Sequence, residues 1–140
     1  EAPGAAVWAH VNRAALVRIG AGVHGGGVEY RGADPSANPY LLVAGLLVAA
    51  ADGIANDLDP GPPLEEAIDS YDPAQTHAVR YHPLPRNLDD ALDALVGDDV
   101  FVDAFDHHLL TNLVDGRRRE IDEYRSHVTP WELERYLDEA

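Results

Sequence analysis

A chain of 140 residues suits one ordinary domain, and 46% hydrophobic with 25% charged residues excludes a disordered chain. Twenty-five acids against ten bases give a net charge of −15, which repels nucleic-acid phosphates and anionic membrane faces. The absence of cysteine removes disulfides, thiolate metal sites and thiol nucleophiles.

All ten bases are arginine, and aspartate outnumbers glutamate. That balance resembles the surfaces of proteins from salt-loving microbes, where concentrated salt screens self-repulsion. The opening EAPGAAVWAHVNR does not read as a basic leader with an apolar core, so a cytoplasmic setting is expected, and the chain reads as a fragment. The longest apolar run, Tyr40 to Ala51, is shorter than the ~20 residues of a spanning helix, so no membrane contact is expected.

In chain order, the expected class is α+β: short antiparallel strands, a buried helix, then a helical C-terminal region. Strands are expected across about 5–31, because Val7 to Ile19 and Val28 to Arg31 alternate branched and polar residues. GAGVHGGG between them is loop. GADPSANPY is turn chemistry, ending in Asn38 as a helix cap and Pro39 at the first helical position. The helix, about 38–57, is apolar all round until Asp52 and needs neighbours on every side. Residues 58–86 are proline-rich and extended, with a short helix at 64–69. The region 87–140 is helical. Asn87 caps one helix that Gly97 stops, and Phe101, Phe105, Leu109 and Leu113 recur at four-residue spacing on the next, with a break placed at Gly116. Thr129 and Glu132 form a capping box before the last helix, with Val128 and Leu133 as a staple.

Several constellations bear on chemistry. Arg13 and Arg18, five apart on one strand, start on opposite faces; either a bulge brings them together, or each serves a separate pocket, or they are rim ion pairs on a strand edge. Glu29 and Arg31 share a face, either as a buried pair or facing a polar cavity. There the carboxylate suits a hard metal and the guanidinium a carboxylate or phosphate. HGGG at 24–27 matches an oxyanion loop, but none of the serines has the flanking glycines of a nucleophile elbow. A P-loop needs lysine, which is absent. His107 and His108 point about 100° apart on a helix and cannot jointly grip one metal. Asp103 and His107, four apart, have the spacing to share a metal but read first as a solvated face, and Arg117 to Arg119 read as ion pairs with Asp122 and Glu123.

Together the pieces resemble the C-terminal part of the catalytic domain of glutamine synthetase and of glutamine synthetase-like γ-glutamyl ligases. EAP is similar to the end of the family's flap segment and NRAALVRI to its N-R-S-A-x-x-R-I strand. VEYRGADPSANPYLLVAGLLVAAADGI matches the family's strand, turn and helix, and LPRNLDDALDAL and VTPWELERYL follow in order. The resemblance covers nearly the whole chain.

It implies a two-step ligase: ATP phosphorylates the side-chain carboxylate of glutamate, and ammonia or a small amine displaces phosphate. By matching position, Arg13 and Arg18 are expected to hold ATP phosphates, with Arg13 also stabilising the transferred group. Glu29 is expected to bind Mg2+ or Mn2+. Arg31 is expected to clamp glutamate or the phosphorylated intermediate, and Glu1 to cover that intermediate and help deprotonate the amine. His24 stands where the family has a nucleotide-binding lysine, in a loop about two residues shorter. Ala14 and Ala33 replace a family serine and proline. The resemblance further implies that an upstream part of the same catalytic domain supplies the remaining metal carboxylates, that this chain alone is inactive, and that the intact protein is a homo-oligomer. The alternative is a non-catalytic, truncated or degenerate module serving assembly or regulation.

Overall fold

Short strands form where branched residues and arginine alternate between glycines. β1 (Trp8–Ala9), β2 (Val17–Gly20) and β3 (Gly27–Tyr30) make a three-stranded sheet in that order. The computed structural model describes residues 3–20, 26–65 and 81–137. β2 and β3 run antiparallel, pairing Val17 with Tyr30, Arg18 with Glu29, Ile19 with Val28 and Gly20 with Gly27. β1 instead lies parallel to β2, Trp8 beside Val17 and Ala9 beside Arg18, which corrects the all-antiparallel expectation.

The connection is also not the continuous strand expected from Val7 to Ile19. Residues 10–16 form a turn in which the Ala15 amide donates to Asn12 O at 3.4 Å. The Asn12 side chain turns the backbone there, a conformation that competes with a strand ladder. At the other end, only glycine fits position 26: a Cβ there would lie 2.5 Å from the Gly20 backbone oxygen.

The chain divides into two compact units, Glu1–Leu84 and Pro85–Ala140. In the first, Ala5, Val7, Ala9, Ala15 and Leu64 form the core, with Tyr81 packed against it. Small residues at 5, 9 and 15 let backbones approach closely. Leu64 is the one large side chain among them, worth ~1.5–3 kcal/mol of burial. Residues 81–84 close this unit: Ala5 bridges Pro83, the Ala6 amide donates to His82 O, and the Leu84 amide donates to Gly4 O.

After β3, the Asp34 carboxylate accepts the Ser36 hydroxyl at 2.6 Å and its amide at 2.7 Å. The hydroxyl bond chiefly, then the amide, holds its pKa below the ordinary value. The turn leads into α1 (Pro39–Ala55), where Asn38 Oδ1 accepts from the amides of Tyr40 and Leu41 and Pro39 occupies the first turn, as expected. The neighbours such an apolar helix needs are not found among the described residues. None of its residues is buried, and Tyr40 and Ile54 are more than four-fifths exposed. An all-apolar helix has no polar face to turn to water, and the described residues do not surround it. Of the short helix expected at 64–69, residues 64 and 65 are not helical and the rest lies outside the described residues.

In the second unit, α2 (Leu88–Val96) starts at Asn87, whose side chain accepts the Asp90 amide at 2.8 Å, and ends at Gly97. α3 (Asp99–Ala104) is short, and α4 (His107–Ser126) runs unbroken past Gly116. The expected break lies instead at Phe105–Asp106, because Asp106 Oδ1 accepts the His108 and Leu109 amides at 3.0 and 3.1 Å and starts a new helix. Leu92, Val114 and Ile121 form the core of this unit. α5 (Pro130–Tyr136) opens with the full capping box of Thr129 and Glu132.

Candidate functional site

Cross-strand pairing in an antiparallel sheet places opposed side chains on the same face. Arg18 on β2 therefore meets Glu29 on β3, and Arg31, two residues beyond Glu29, joins the same face. The Arg31 amide continues the ladder by donating to Leu16 O at 2.8 Å, which fixes that third position. Arg18 Nη2 lies 2.5 Å from Glu29 Oε2, and Arg31 Nη1 lies 3.0 Å from Glu29 Oε1. One carboxylate is thus gripped at both oxygens by two guanidinium groups.

The trio carries a surplus of one positive charge within a chain of net charge −15. The guanidinium side chains are only 30% and 21% exposed, whereas the carboxylate is 43% exposed. Partly exposed pairs contribute only ~0.2–1 kcal/mol each, so their main consequence is orientation. Arg18 Nε is buried and has no hydrogen-bond partner among the described residues. Leaving such a donor unmet costs ~1–3 kcal/mol. An oxyanion with several acceptors, a phosphate or carboxylate, fits this donor and the local positive surplus.

For a divalent cation, Glu29 is a single carboxylate and not a complete ligand set. Both Glu29 oxygens are already engaged, and no group of three or more histidines and carboxylates that could hold a metal occurs among the described residues. The geometry brings Arg18, Glu29 and Arg31 together but does not join Arg13 to them. Arg13 is exposed in the turn before β2 and forms no ion pair with a described acid, so the expectation that it lies on the strand is corrected. Glu1 and His24 lie outside the described residues.

Two residues absent from the expected set shape the turn that carries Arg13. Asn12 Oδ1 accepts the Ala14 amide at 2.9 Å, spanning Arg13, and Asn12 Nδ2 donates to Leu64 O at 3.1 Å. Glu65 accepts from the amides of His10 at 2.7 Å, Val11 at 3.0 Å and Asn12 at 3.4 Å, and its Oε1 is 3.0 Å from His10 Nδ1. Those amides, His10 and Val11 foremost, draw the Glu65 pKa down from 4.5 to about 2. Asn12 had a local signal, since asparagine readily caps its own turn. Glu65 had none: its partners are 53 to 55 residues away.

The second unit holds a cleft of about 410 Å³ between the start of α2 and the end of α4, where Arg125 pairs with Asp89 beside Ile121 and Tyr124. It contains no nucleophile–base pair. His107, at the start of α4, lines another cleft with Asp115 and Arg118 and gathers no metal-ligand set.

Comparison with known proteins adds an independent line. The family model described as "Glutamine synthetase, catalytic domain" matches residues 1–136. The chain is 41% identical over 140 residues to a glutamine synthetase of Halobacterium salinarum, covering 99% of this chain and 31% of that protein. A glutamine synthetase of Archaeoglobus fulgidus is 38% identical, with 99% of this chain and 29% of the relative covered. Among solved structures, a GmaS/ADP complex superposes with a TM-score of 0.81 at 33% identity, covering 98% of this chain and 30% of that one. GmaS without ligand gives 0.78 at 33% identity, with 97% and 30% covered. The chain therefore spans about a third of the length of the relatives it matches.

Proposed function

The chain belongs to the glutamine synthetase catalytic-domain family, and from that membership we propose that it forms the C-terminal part of an ATP-dependent carboxylate–amine ligase. In this reading the γ-phosphoryl group of ATP passes to the side-chain carboxylate of glutamate, giving γ-glutamyl phosphate and ADP. Ammonia or a small amine then attacks the acyl carbon, loses a proton, and expels phosphate to leave a γ-glutamyl amide.

The observation that carries this reading is the converging pair of guanidinium groups on Arg18 and Arg31, fixed by one shared carboxylate. Phosphoryl transfer is accelerated mainly by positioning and by donors aimed at developing negative charge. Arg18 is assigned to the nucleotide phosphates, with its buried Nε as the added donor. Arg31 is assigned to the glutamate carboxylate or the transferred phosphoryl group. Arg13 approaches the phosphates from the turn ahead of β2. Glu29 holds both guanidinium planes, which conserves their orientation when substrate leaves.

ATP and a divalent cation, Mg2+ or Mn2+, belong to this proposal through family membership. Glu29 is assigned to that cation as one carboxylate of a set completed by the upstream part of the domain, since the described residues hold no group of three or more ligands. The stabilisation those residues offer the moving phosphoryl group is guanidinium charge. Glu1 and His24 keep their assigned roles, at the flap and near the nucleotide, as part of the same proposal. The intact enzyme is assigned to a homo-oligomer, and the acidic, lysine-free surface to a salt-rich cytoplasm.

The engagement of both Glu29 oxygens favours one rival, a non-catalytic member of the family serving assembly or regulation. Phosphate release separates the two. The chain is combined with the upstream portion of a relative's catalytic domain and supplied with glutamate, ATP, Mg2+ and ammonium or amines. Turnover is expected, falling about 10²-fold for Arg18→Ala and for Arg31→Ala. No turnover with any amine, where the relative's own C-terminal part restores it, sinks the ligase reading.

A further inference from the structure

Residues 61–65 form a strap bonded to the segment that leads into β2. The Leu64 amide donates to Trp8 O at 2.8 Å, and the Trp8 indole N–H donates to Gly61 O at 2.9 Å. Leu64 is 3% exposed and plugs the core of the first unit, so the next residue, Glu65, is held in place by packing. Its carboxylate faces three successive amides, those of His10, Val11 and Asn12, and the His10 ring. That ring in turn meets Trp8 edge-on, with centroids 5.2 Å apart.

Three consecutive amides turned toward one anion make a concave nest. Here the anion is supplied by the chain itself, so the nest serves as a latch. Asn12 completes it by donating to the strap at Leu64 O while its own oxygen accepts the Ala14 amide. Arg13 is thereby fixed on both sides: its preceding residues are bonded to Glu65 and its following residue to Asn12. We propose that Glu65 is a positioning residue for Arg13, setting the turn from which that guanidinium reaches a phosphate. The proposal rests on the phosphate-binding reading given above.

The test measures tripolyphosphate affinity by calorimetry, and amide exchange by NMR, in the 140-residue chain and in Glu65→Ala, Glu65→Gln, Arg13→Ala and the Glu65→Ala/Arg13→Ala double variant. Loss of hydrogen bonds to a charged acceptor is expected to speed exchange at His10, Val11 and Asn12 by about tenfold or more in Glu65→Ala, with Ile19 unchanged. Affinity is expected to fall about threefold to tenfold for Glu65→Ala, less for Glu65→Gln, and not at all when Arg13 is already alanine. An equal loss with and without Arg13, or unchanged exchange at residues 10–12 in both Glu65 variants, overturns the latch. If the unmodified chain does not bind tripolyphosphate, the phosphate reading fails and the positioning role falls with it. If it binds and is indifferent to Glu65, only the latch fails.

Discussion

At Glu65 the charge state and the local fold are one question. Its folded pKa of about 2 lies below the ordinary 4.5, so its contribution is fully present above pH 4.5 and is lost as pH falls toward 2. Among the described titratable side chains, only the His10 ring bonds it. Amide exchange at Val11 and Asn12, referenced to Ile19, is expected to stay flat from pH 7 to about 5 after correction for intrinsic exchange, and to rise below that. Glu65→Gln is expected to abolish the pH-dependent rise; a rise that persists in that variant contradicts the assignment. Glu29 shows the other face of residue-scale reading. Its shared face with Arg31 follows from spacing alone, but that Arg18 stands opposite depends on the strand register, which the length of the glycine-rich connection leaves open in the sequence.

Among the elements, the helix starts were the most legible parts of the chain, because each cap is a short-range bond between a side chain and an amide within three residues. Asn38, Asn87 and Thr129 all cap where the sequence places them. Asp106 is hidden in the sequence because the four-residue recurrence from Phe101 to Leu113 runs through it, and a capping aspartate interrupts a helix without disturbing that pattern. Gly116 attracted the break because glycine weakens helices, yet one glycine costs only ~1 kcal/mol against the bonds of a 20-residue helix. The strand reading failed similarly: branched residues from Val7 to Ile19 suggest continuity, while Asn12 turns the backbone between β1 and β2. At the loop between β2 and β3, the contact of position 26 with the Gly20 oxygen gives a direct expectation. Gly26→Ala should destabilise the first unit by ~1–3 kcal/mol, seen as a lower melting temperature with helix content unchanged; an unaltered melting temperature contradicts that close approach.

Over the whole molecule, order of motifs carried the family assignment, since no single piece of the sequence is distinctive and five in sequence are. Burial was the least legible property. An apolar helix such as α1 predicts neighbours, but whether they belong to the same chain is not encoded in its residues; here its apolar surface stays exposed. Charge is the other global constraint. A body of net charge −15 repels a polyanion from nearly every direction, so phosphate binding depends on a local reversal of sign. The trio on β2 and β3 provides one, with two guanidinium groups against a single carboxylate.

Calorimetric titration of the chain with tripolyphosphate in the absence of divalent metal tests that reversal most directly, comparing the unmodified protein with Arg18→Ala and Glu29→Gln. Arg18→Ala should weaken binding about tenfold or more, whereas Glu29→Gln, which frees both guanidinium groups, should tighten it. Binding that ignores Arg18, or that weakens when Glu29 loses its charge, would contradict a phosphate site built on these two strands.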